Sequence, residues 1–157
     1  SASTATHFAA DLVKTTTSEP GDRGIRALTP WDNLPLISAI VNDRPKDDLF
    51  TAWLDTFYEK RGVGIGISVH GGSGSALGGR WSQNLLKGIQ YIKDRGGLTI
   101  GFSGFDGGPL ANLADVCITV PVSEFSLGTP LVESVHVAVH HLIVFQLKEL
   151  MKKGDPG

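Results

Sequence analysis

The chain has 157 residues with 14 Lys or Arg against 16 Asp or Glu, and this net charge of −2 offers no basic surface for nucleic acid or for anionic lipid. Its length predicts one domain with a substantial core. Cys117 is the only cysteine, so a disulfide framework is excluded and a cytoplasmic protein is favoured. No apolar run approaches the length of a membrane span, and no signal peptide is visible.

The first third of the chain predicts helices around one short strand. In chain order, the predicted elements are a helix over residues 1–14, a polar loop over 15–23, a short strand over 24–29, a helix over 33–41 and an amphipathic helix over 47–60. His7 and Asp11 stand four residues apart, which places them on one face of the opening helix. Such a pair can share a metal, or it can be an ordinary surface pair.

Residues 63–73 hold the most informative local pattern. A short apolar strand with Ile65 and Ile67 runs into a loop of glycine and serine that also contains His70. Inward-turned backbone N–H groups and hydroxyls suit a phosphate, especially beside the helix predicted over residues 82–94. An ordinary βα turn explains the same glycines. No Walker-type lysine follows them, so an ATPase is disfavoured.

The remainder of the chain alternates strands with helices. Residues 74–81 read as a flexible segment, or as one in which Arg80 and Trp81 close over a ligand. The later predicted elements are strands over 98–102 and 116–120, a short helix over 109–114 and a long helix over 131–152. Glycine-rich exits after apolar strands are typical of open α/β sheets.

The last helix carries a carboxylate and three histidines among apolar residues. At 100° per residue, Glu133, His136 and His140 share one face, whereas His141 lies about 80° round from Glu133. The group indicates a metal or catalytic site, and the alternative for each histidine is a hydrogen-bonded core residue. Helical geometry favours His140 as the inward-pointing residue of the adjacent pair.

Several of these pieces together resemble the phosphoheptose isomerases, sugar isomerases of the SIS fold that act on sedoheptulose 7-phosphate. The resemblance is carried by His7-Phe-Ala-Ala-Asp11, Asn42-Asp43, Gly66-Ile-Ser68, Gly101-Phe-Ser-Gly-Phe-Asp-Gly-Gly108, Leu113-Ala-Asp-Val116 and Thr129-Pro-Leu-Val-Glu-Ser-Val-His136. It covers nearly the whole chain in the right order. It implies a single SIS domain over residues 1–157: a three-layer αβα sandwich with a parallel, roughly five-stranded sheet that binds phosphosugar at the carboxyl ends of the strands.

The resemblance also implies a metal site, typically for zinc, at His7, Asp11, Glu133 and His141. The family commonly has glutamate at the position of Asp11 and glutamine at that of Glu133, so two of these positions depart from its pattern. Family members open with a helix, a strand and an Asn-Gly-Gly-Ser turn whose serine corresponds to Ser1. We therefore expect that an N-terminal helix and first strand are absent from this chain.

For the substrate, the resemblance implies contacts from Ser1, Asp11 and Glu133, from Asn42 and Asp43, and from the serines of the central loop. The family loop Ser-Thr-Ser-Gly-Asn-Ser is here Ser68-Val-His-Gly-Gly-Ser73, so His70 replaces a hydroxyl. Residues 74–81 look like an insertion. Either Ser73 or Ser82 therefore corresponds to the second phosphate-binding serine.

The implied activity is conversion of sedoheptulose 7-phosphate to D-glycero-D-manno-heptose 7-phosphate, the first step of nucleotide-activated heptose biosynthesis. This ketose–aldose conversion needs a base, an acid and stabilisation of the enediol. We expect a carboxylate as the base, Asp11 first and Glu133 second, with His141 as the acid and a metal to polarise the carbonyl. A homotetramer is implied as well. The alternative is a non-catalytic SIS-fold protein that senses phosphosugars or associates with a replication initiator.

Overall fold

A three-stranded parallel sheet forms the centre of the computed structural model, which describes residues 1–17, 21, 23–72 and 81–152. Its strands are β1 (Val63–Ile67), β2 (Leu98–Gly104) and β3 (Val116–Val120), in the order β1-β2-β3. Ile65 pairs with Ile100, and Gly101 pairs with Cys117. The α-helices are α1 (Ala2–Thr15), α2 (Leu34–Asp43), α3 (Leu49–Phe57), α4 (Gln83–Asp94), α5 (Gly108–Leu113) and α6 (Phe125–Lys152).

The two faces of the sheet are packed by different helices. On one face Ile67 and Phe102 join Phe8 of α1 and Val144 of α6 in a buried cluster. On the other face the strands present glycine: a Cβ on Gly66 would press against Ile89 of α4. Alternation along each strand therefore directs branched side chains toward α1 and α6, and it lets α4 and α5 approach the backbone closely. The predicted three-layer α/β architecture with a parallel sheet is confirmed.

The expected number of about five strands differs from the three that the described residues form. Residues 24–29, predicted as a strand, form neither strand nor helix and lie outside the sheet. The amide of Ile25 donates to the Thr16 hydroxyl at the end of α1, 2.8 Å away, instead of to a neighbouring strand. Ile25 and Ala27 pack against the α1/α6 cluster, so hydrophobic burial explains their apolar pattern without a ladder.

Helix α6 is longer than predicted. It begins at Phe125, before Pro130, whereas the sequence suggested a start at residue 131. By length and composition, Ser126–Lys152 is apolar enough to cross a membrane. The expectation that no apolar run in the sequence is long enough to span a membrane is therefore wrong for this helix. The core helix of a soluble protein passes the same test. Here α6 packs on α1 and β2 and contains the buried residues His136 and His140.

Asp115 joins β2 to the chain entering β3. Its carboxylate accepts hydrogen bonds from the Thr99 amide at 2.9 Å and the Thr99 hydroxyl at 2.7 Å, and it pairs with the Lys93 ammonium at 3.0 Å. These bonds to Thr99, then to Lys93, lower the pKa of Asp115 to about 2. Stability from this carboxylate is present above the unfolded pKa of about 3.9 and is lost as the pH falls toward the folded value.

We expect Asp115→Asn to lower the thermal midpoint at pH 7. The difference in midpoint between the variant and the parent protein should shrink as the pH falls from about 4 to about 2. Calorimetry across that range measures both effects. Asp94→Asn is the matched control, because the exposed Asp94 carboxylate accepts a hydrogen bond from the Gln90 side chain on the helix surface. A constant gap at every pH would contradict this account.

Candidate active site

Three histidines and one carboxylate converge on the seam between α1 and α6. Oδ2 of Asp11 lies 3.4 Å from Nε2 of His7, 3.3 Å from Nε2 of His141 and 3.7 Å from Nδ1 of His140. The two Nε2 atoms of His7 and His141 are 3.5 Å apart. One ligand atom from each of the four residues lies within 4.8 Å of every other. We call these four residues the seam cluster.

Helix periodicity explains how the seam cluster forms. His7 and Asp11 lie one turn apart on α1. The adjacent His140 and His141 lie on either side of the strip of α6 that faces α1. Phe8 and Val144 bury the inner side of the same contact. As a result His140 is fully buried, whereas His7 and His141 remain about half exposed.

The electrostatics of His140 keep its ring neutral. Burial is the main reason that its pKa falls to about 4, and the neighbouring His141 and His7 lower it further, while Asp11 opposes them. Neither ring nitrogen has a hydrogen-bond partner in the described part of the chain. The ring stacks on Phe8 with centroids 5.2 Å apart. A neutral imidazole is the form that ligates metals.

The donor set of the seam cluster fits a divalent metal. Zinc bonds of about 2.0–2.2 Å in a tetrahedron place neighbouring ligand atoms about 3.3–3.6 Å apart. The distances of 3.3 to 3.7 Å around Oδ2 of Asp11 match that spacing. Imidazole nitrogen and carboxylate oxygen are both common zinc ligands.

Glu133, expected in the metal site, lies elsewhere. Oε1 of Glu133 accepts a hydrogen bond from the backbone nitrogen of Ser1, 2.8 Å away. It precedes His141 by eight residues on α6, about 12 Å along the helix axis. The structure thus brings together His7, Asp11 and His141 of the predicted ligands and adds His140. The helical spacing that placed His140 on an inward face was the sequence signal for it.

The predicted phosphate site has two serines in contact. The hydroxyl of Ser68, directly after β1, lies 3.0 Å from that of Ser82, which caps the N-terminus of α4. Ser73 and Arg80 fall outside the described residues. Whether Ser73 also belongs to the phosphate site therefore stays a prediction. Two hydroxyls beside a helix N-terminus form a suitable place for an anion.

Glycines shape the turn between these serines. Gly71 and Gly72 have φ values of +57° and +84°, a region that favours glycine. The Gly71 carbonyl accepts a hydrogen bond of 2.8 Å from the Leu110 amide of α5. A Cβ on Gly71 would overlap the carbonyl oxygen of Gly107. The loop is therefore held tightly against the chain that follows β2.

His70 lies among aromatic rings on this loop. Its imidazole stacks on Phe105 with centroids 4.6 Å apart, and it meets the Trp81 ring edge-on at 4.4 Å. Burial lowers the pKa of His70, and the Asp106 carboxylate partly opposes this shift. Burial therefore makes the charged form of His70 less favourable than that of a free imidazole.

The other expected contacts occupy two places. Ser1 and Ser82 both line a cleft of about 430 Å³ beside β1, the edge strand of the sheet that the described residues form. The other walls of this cleft are largely aromatic and aliphatic. Asn42 and Asp43 are the exposed last residues of α2. His136 is a core residue, because its buried Nε2–H donates to the Ser103 carbonyl 3.0 Å away.

Comparison with known proteins gives this geometry its context. No family model matches the chain. It is 32% identical over 143 residues to a phosphoheptose isomerase of Helicobacter pylori, covering 91% of this chain and 67% of that enzyme. A phosphoheptose isomerase of Vibrio vulnificus is 32% identical over 149 residues, covering 94% and 70%. This chain belongs to the phosphoheptose isomerase family.

Two further similarities extend the family assignment. The chain is 43% identical over 143 residues to the lincomycin biosynthesis protein LmbN of Streptomyces lincolnensis, of which it spans only half the length. The solved phosphoheptose isomerase of Neisseria gonorrhoeae superposes with a TM-score of 0.75 at 22% identity, covering 94% of this chain and 71% of that one. That structure supports the SIS fold of the family.

Proposed function

We propose that this chain is a ketose–aldose isomerase that converts sedoheptulose 7-phosphate to D-glycero-D-manno-heptose 7-phosphate. The observation that carries the proposal is the seam cluster, since it puts a carboxylate against imidazoles in a member of the phosphoheptose isomerase family. A binding protein of the same fold gains nothing from such a set of proton-transfer groups. We propose further that residues 1–157 act as one SIS domain.

Asp11 and His141 are the groups that we assign to proton transfer. Oδ2 of Asp11 faces the three imidazoles, and we assign its other oxygen, Oδ1, to the carbon-bound proton. Oδ1 takes a proton from C1 of the ketose and returns it to C2, which gives the aldose through an enediol. The exposed side of His141 donates a proton to the C2 oxygen as the enediol forms and takes one back from the C1 hydroxyl as the aldehyde forms. No atoms are gained or lost in this exchange.

Ser68 and Ser82 bind the phosphate in this proposal, together with His70 and the first amides of α4. We assign Ser73, which lies outside the described residues, to the same role. Asn42 and Asp43 contact the sugar chain. Ser1, which lines the cleft, and Glu133, whose Oε1 lies 2.8 Å from the Ser1 nitrogen, are the further sugar contacts in this proposal. These contacts orient the substrate and take no part in the proton transfer.

A divalent metal, zinc first, is the cofactor that we propose for the seam cluster. His7, Asp11 and His141 would hold it, and its charge would polarise the substrate carbonyl. The fit rests on the spacing of the donor atoms, which all lie within 4.8 Å of one another.

The direct test is an isomerase assay with sedoheptulose 7-phosphate, following aldose formation by NMR, on the full-length protein loaded with zinc. We expect turnover, and exchange of the substrate's C1 or C2 hydrogen with solvent deuterium. Phosphosugar binding by calorimetry with neither turnover nor exchange would favour the non-catalytic alternative.

A heptose isomerase of a natural-product pathway is favoured by the similarity to the lincomycin biosynthesis protein.

Assembly into a homotetramer in the cytoplasm is a further part of the proposal. The outer side of α6 exposes a row of large apolar side chains: Leu127, Leu131, Leu142, Phe145 and Leu150. Exposed apolar surface of this extent marks a contact between copies more often than a free surface. We expect a tetramer by sedimentation at micromolar concentration and a smaller species for Leu142→Glu/Phe145→Glu. A monomeric parent protein would contradict the assembly.

A further inference from the structure

We propose that Phe105 is a positioning residue of the phosphate site, because its ring fixes the orientation of the His70 imidazole. Phe105 lies directly after β2, on the turn that leads to α5. The inference rests on the proposed function, which assigns the substrate phosphate to Ser68, Ser82 and His70. In this account Phe105 sets the affinity for the phosphate end of the substrate and takes no part in the proton transfer.

The backbone of Phe105 has a conformation that a large side chain disfavours. Its φ is +56°, and within the described residues only two others that are not glycine, Arg61 and Ser82, have a positive φ. Its amide donates a hydrogen bond of 3.0 Å to the Val120 carbonyl at the end of β3. Strained conformations persist where the surrounding structure holds them, and they concentrate at functional sites. Two of these three residues, Phe105 and Ser82, lie at the phosphate site.

The Phe105 ring is packed against both α6 and the loop after β1. Gly128, in the first turns of α6, is buried, and a Cβ at that position would overlap Cζ of Phe105. The face of the ring lies against the His70 imidazole, with centroids 4.6 Å apart and an angle of 13° between the planes. The position of the imidazole therefore depends on a ring that α6 supports.

The His70 imidazole in turn lies close to the two phosphate-binding serines. His70 follows Ser68 by two residues, and its ring meets the Trp81 ring edge-on at 4.4 Å. Trp81 directly precedes Ser82, whose hydroxyl lies 3.0 Å from that of Ser68. The rings of Phe105, His70 and Trp81 thus form a row that leads to the N-terminus of α4.

Orientation matters more for an imidazole at this position than for a hydroxyl. Burial lowers the pKa of His70, with Asp106 opposing, so the ring is mostly uncharged at neutral pH. A neutral imidazole has one N–H donor at a fixed place on its ring, whereas a hydroxyl rotates its hydrogen toward a partner. The ring must therefore be turned correctly toward the phosphate. Stacking on Phe105 restricts its rotation before binding, which reduces the entropy lost when the phosphate binds.

The test is a double-mutant cycle on the full-length protein with Phe105→Leu, His70→Ala and the combined variant, using calorimetry to measure the dissociation constant of sedoheptulose 7-phosphate. We expect affinity to fall about 10-fold for His70→Ala and about fivefold for Phe105→Leu. The combined variant should again lose about 10-fold, because Phe105 acts through His70. Inorganic phosphate as the competing ligand should show the same pattern. Losses that multiply to about 50-fold, or unchanged binding by Phe105→Leu, would overturn the inference.

Kinetics and a control separate positioning from general packing. Phe105→Leu should raise KM by the same factor as the dissociation constant and leave kcat within about twofold. Phe57→Leu is the matched control, since it removes a ring that stacks on Trp53 with centroids 4.8 Å apart, and its affinity should stay within about twofold of the parent. An equal loss of affinity in the Phe57 variant would show that removing any stacked ring weakens binding, which would overturn the inference.

Gly128→Ala decides the question if Phe105→Leu fails to fold. Alanine suits a helix, and its Cβ displaces the Phe105 ring, so affinity should fall about three- to fivefold. Unchanged affinity would then overturn the inference, as would a parent protein that binds neither sedoheptulose 7-phosphate nor inorganic phosphate. The cycle measures binding and not turnover. A protein that follows it without isomerising its ligand would therefore reject only the isomerase proposal.

Discussion

Asp11→Asn should lower kcat for sedoheptulose 7-phosphate by about 10²–10⁴ while KM changes less than about threefold. The amide keeps the size of the carboxylate but cannot accept the carbon-bound proton at Oδ1. The phosphate contacts at Ser68 and Ser82 belong to a different part of the protein, so binding should persist. Steady-state kinetics on zinc-loaded protein measure both constants.

Metal occupancy must be followed in the same samples, because Oδ2 of Asp11 faces the imidazoles. Zinc analysis of each sample shows whether a lower kcat comes from loss of the proton-accepting carboxylate or from loss of bound zinc. Glu149→Gln is the matched control, since Glu149 also lies on α6 and its exposed carboxylate pairs with the Lys152 ammonium 3.1 Å away. Full activity in zinc-replete Asp11→Asn would remove Asp11 from the proton transfer.

Gly71→Ala should destabilise the protein by about 3 kcal/mol, which corresponds to a thermal midpoint about 6–12 °C lower, and should raise KM in whatever protein remains folded. Two causes add. The φ of +57° disfavours a side chain, and the new Cβ overlaps the Gly107 carbonyl oxygen. The overlap forces the loop away from α5 and separates Ser68 from its place beside Ser82.

Gly96→Ala separates these causes. Gly96 also has a positive φ, +74°, but a Cβ there meets nothing within 4 Å. Gly96→Ala should lower the free energy of unfolding by about 1–2 kcal/mol, because a side chain disfavours the positive φ, and it should leave KM unchanged. Comparable losses for the two variants, in midpoint and in KM, would show that the contact with Gly107 has no role in the loop.

Local sequence patterns were sufficient for most of the helices and for the three strands. The alternation in Val63–Ile67 identified β1, and the glycines after it identified a turn, because these features depend on nearest neighbours in the chain. The strand predicted at residues 24–29 was wrong, since apolar residues there are buried against α1 and α6 without pairing. Periodicity reports burial, and burial alone does not determine which backbone groups pair.

The site shows the same division. Spacing placed His7 and Asp11 on one helical face, and it placed Glu133 and His140 on another, which follows from 100° per residue. Only the packing of α1 against α6 decided that His140 and His141 both reach Asp11. That choice depends on the relative sliding of two parallel helices, and this is set by side chains remote in sequence, such as Phe8 and Val144. The residue types were readable from the chain, whereas their grouping is a property of the folded structure.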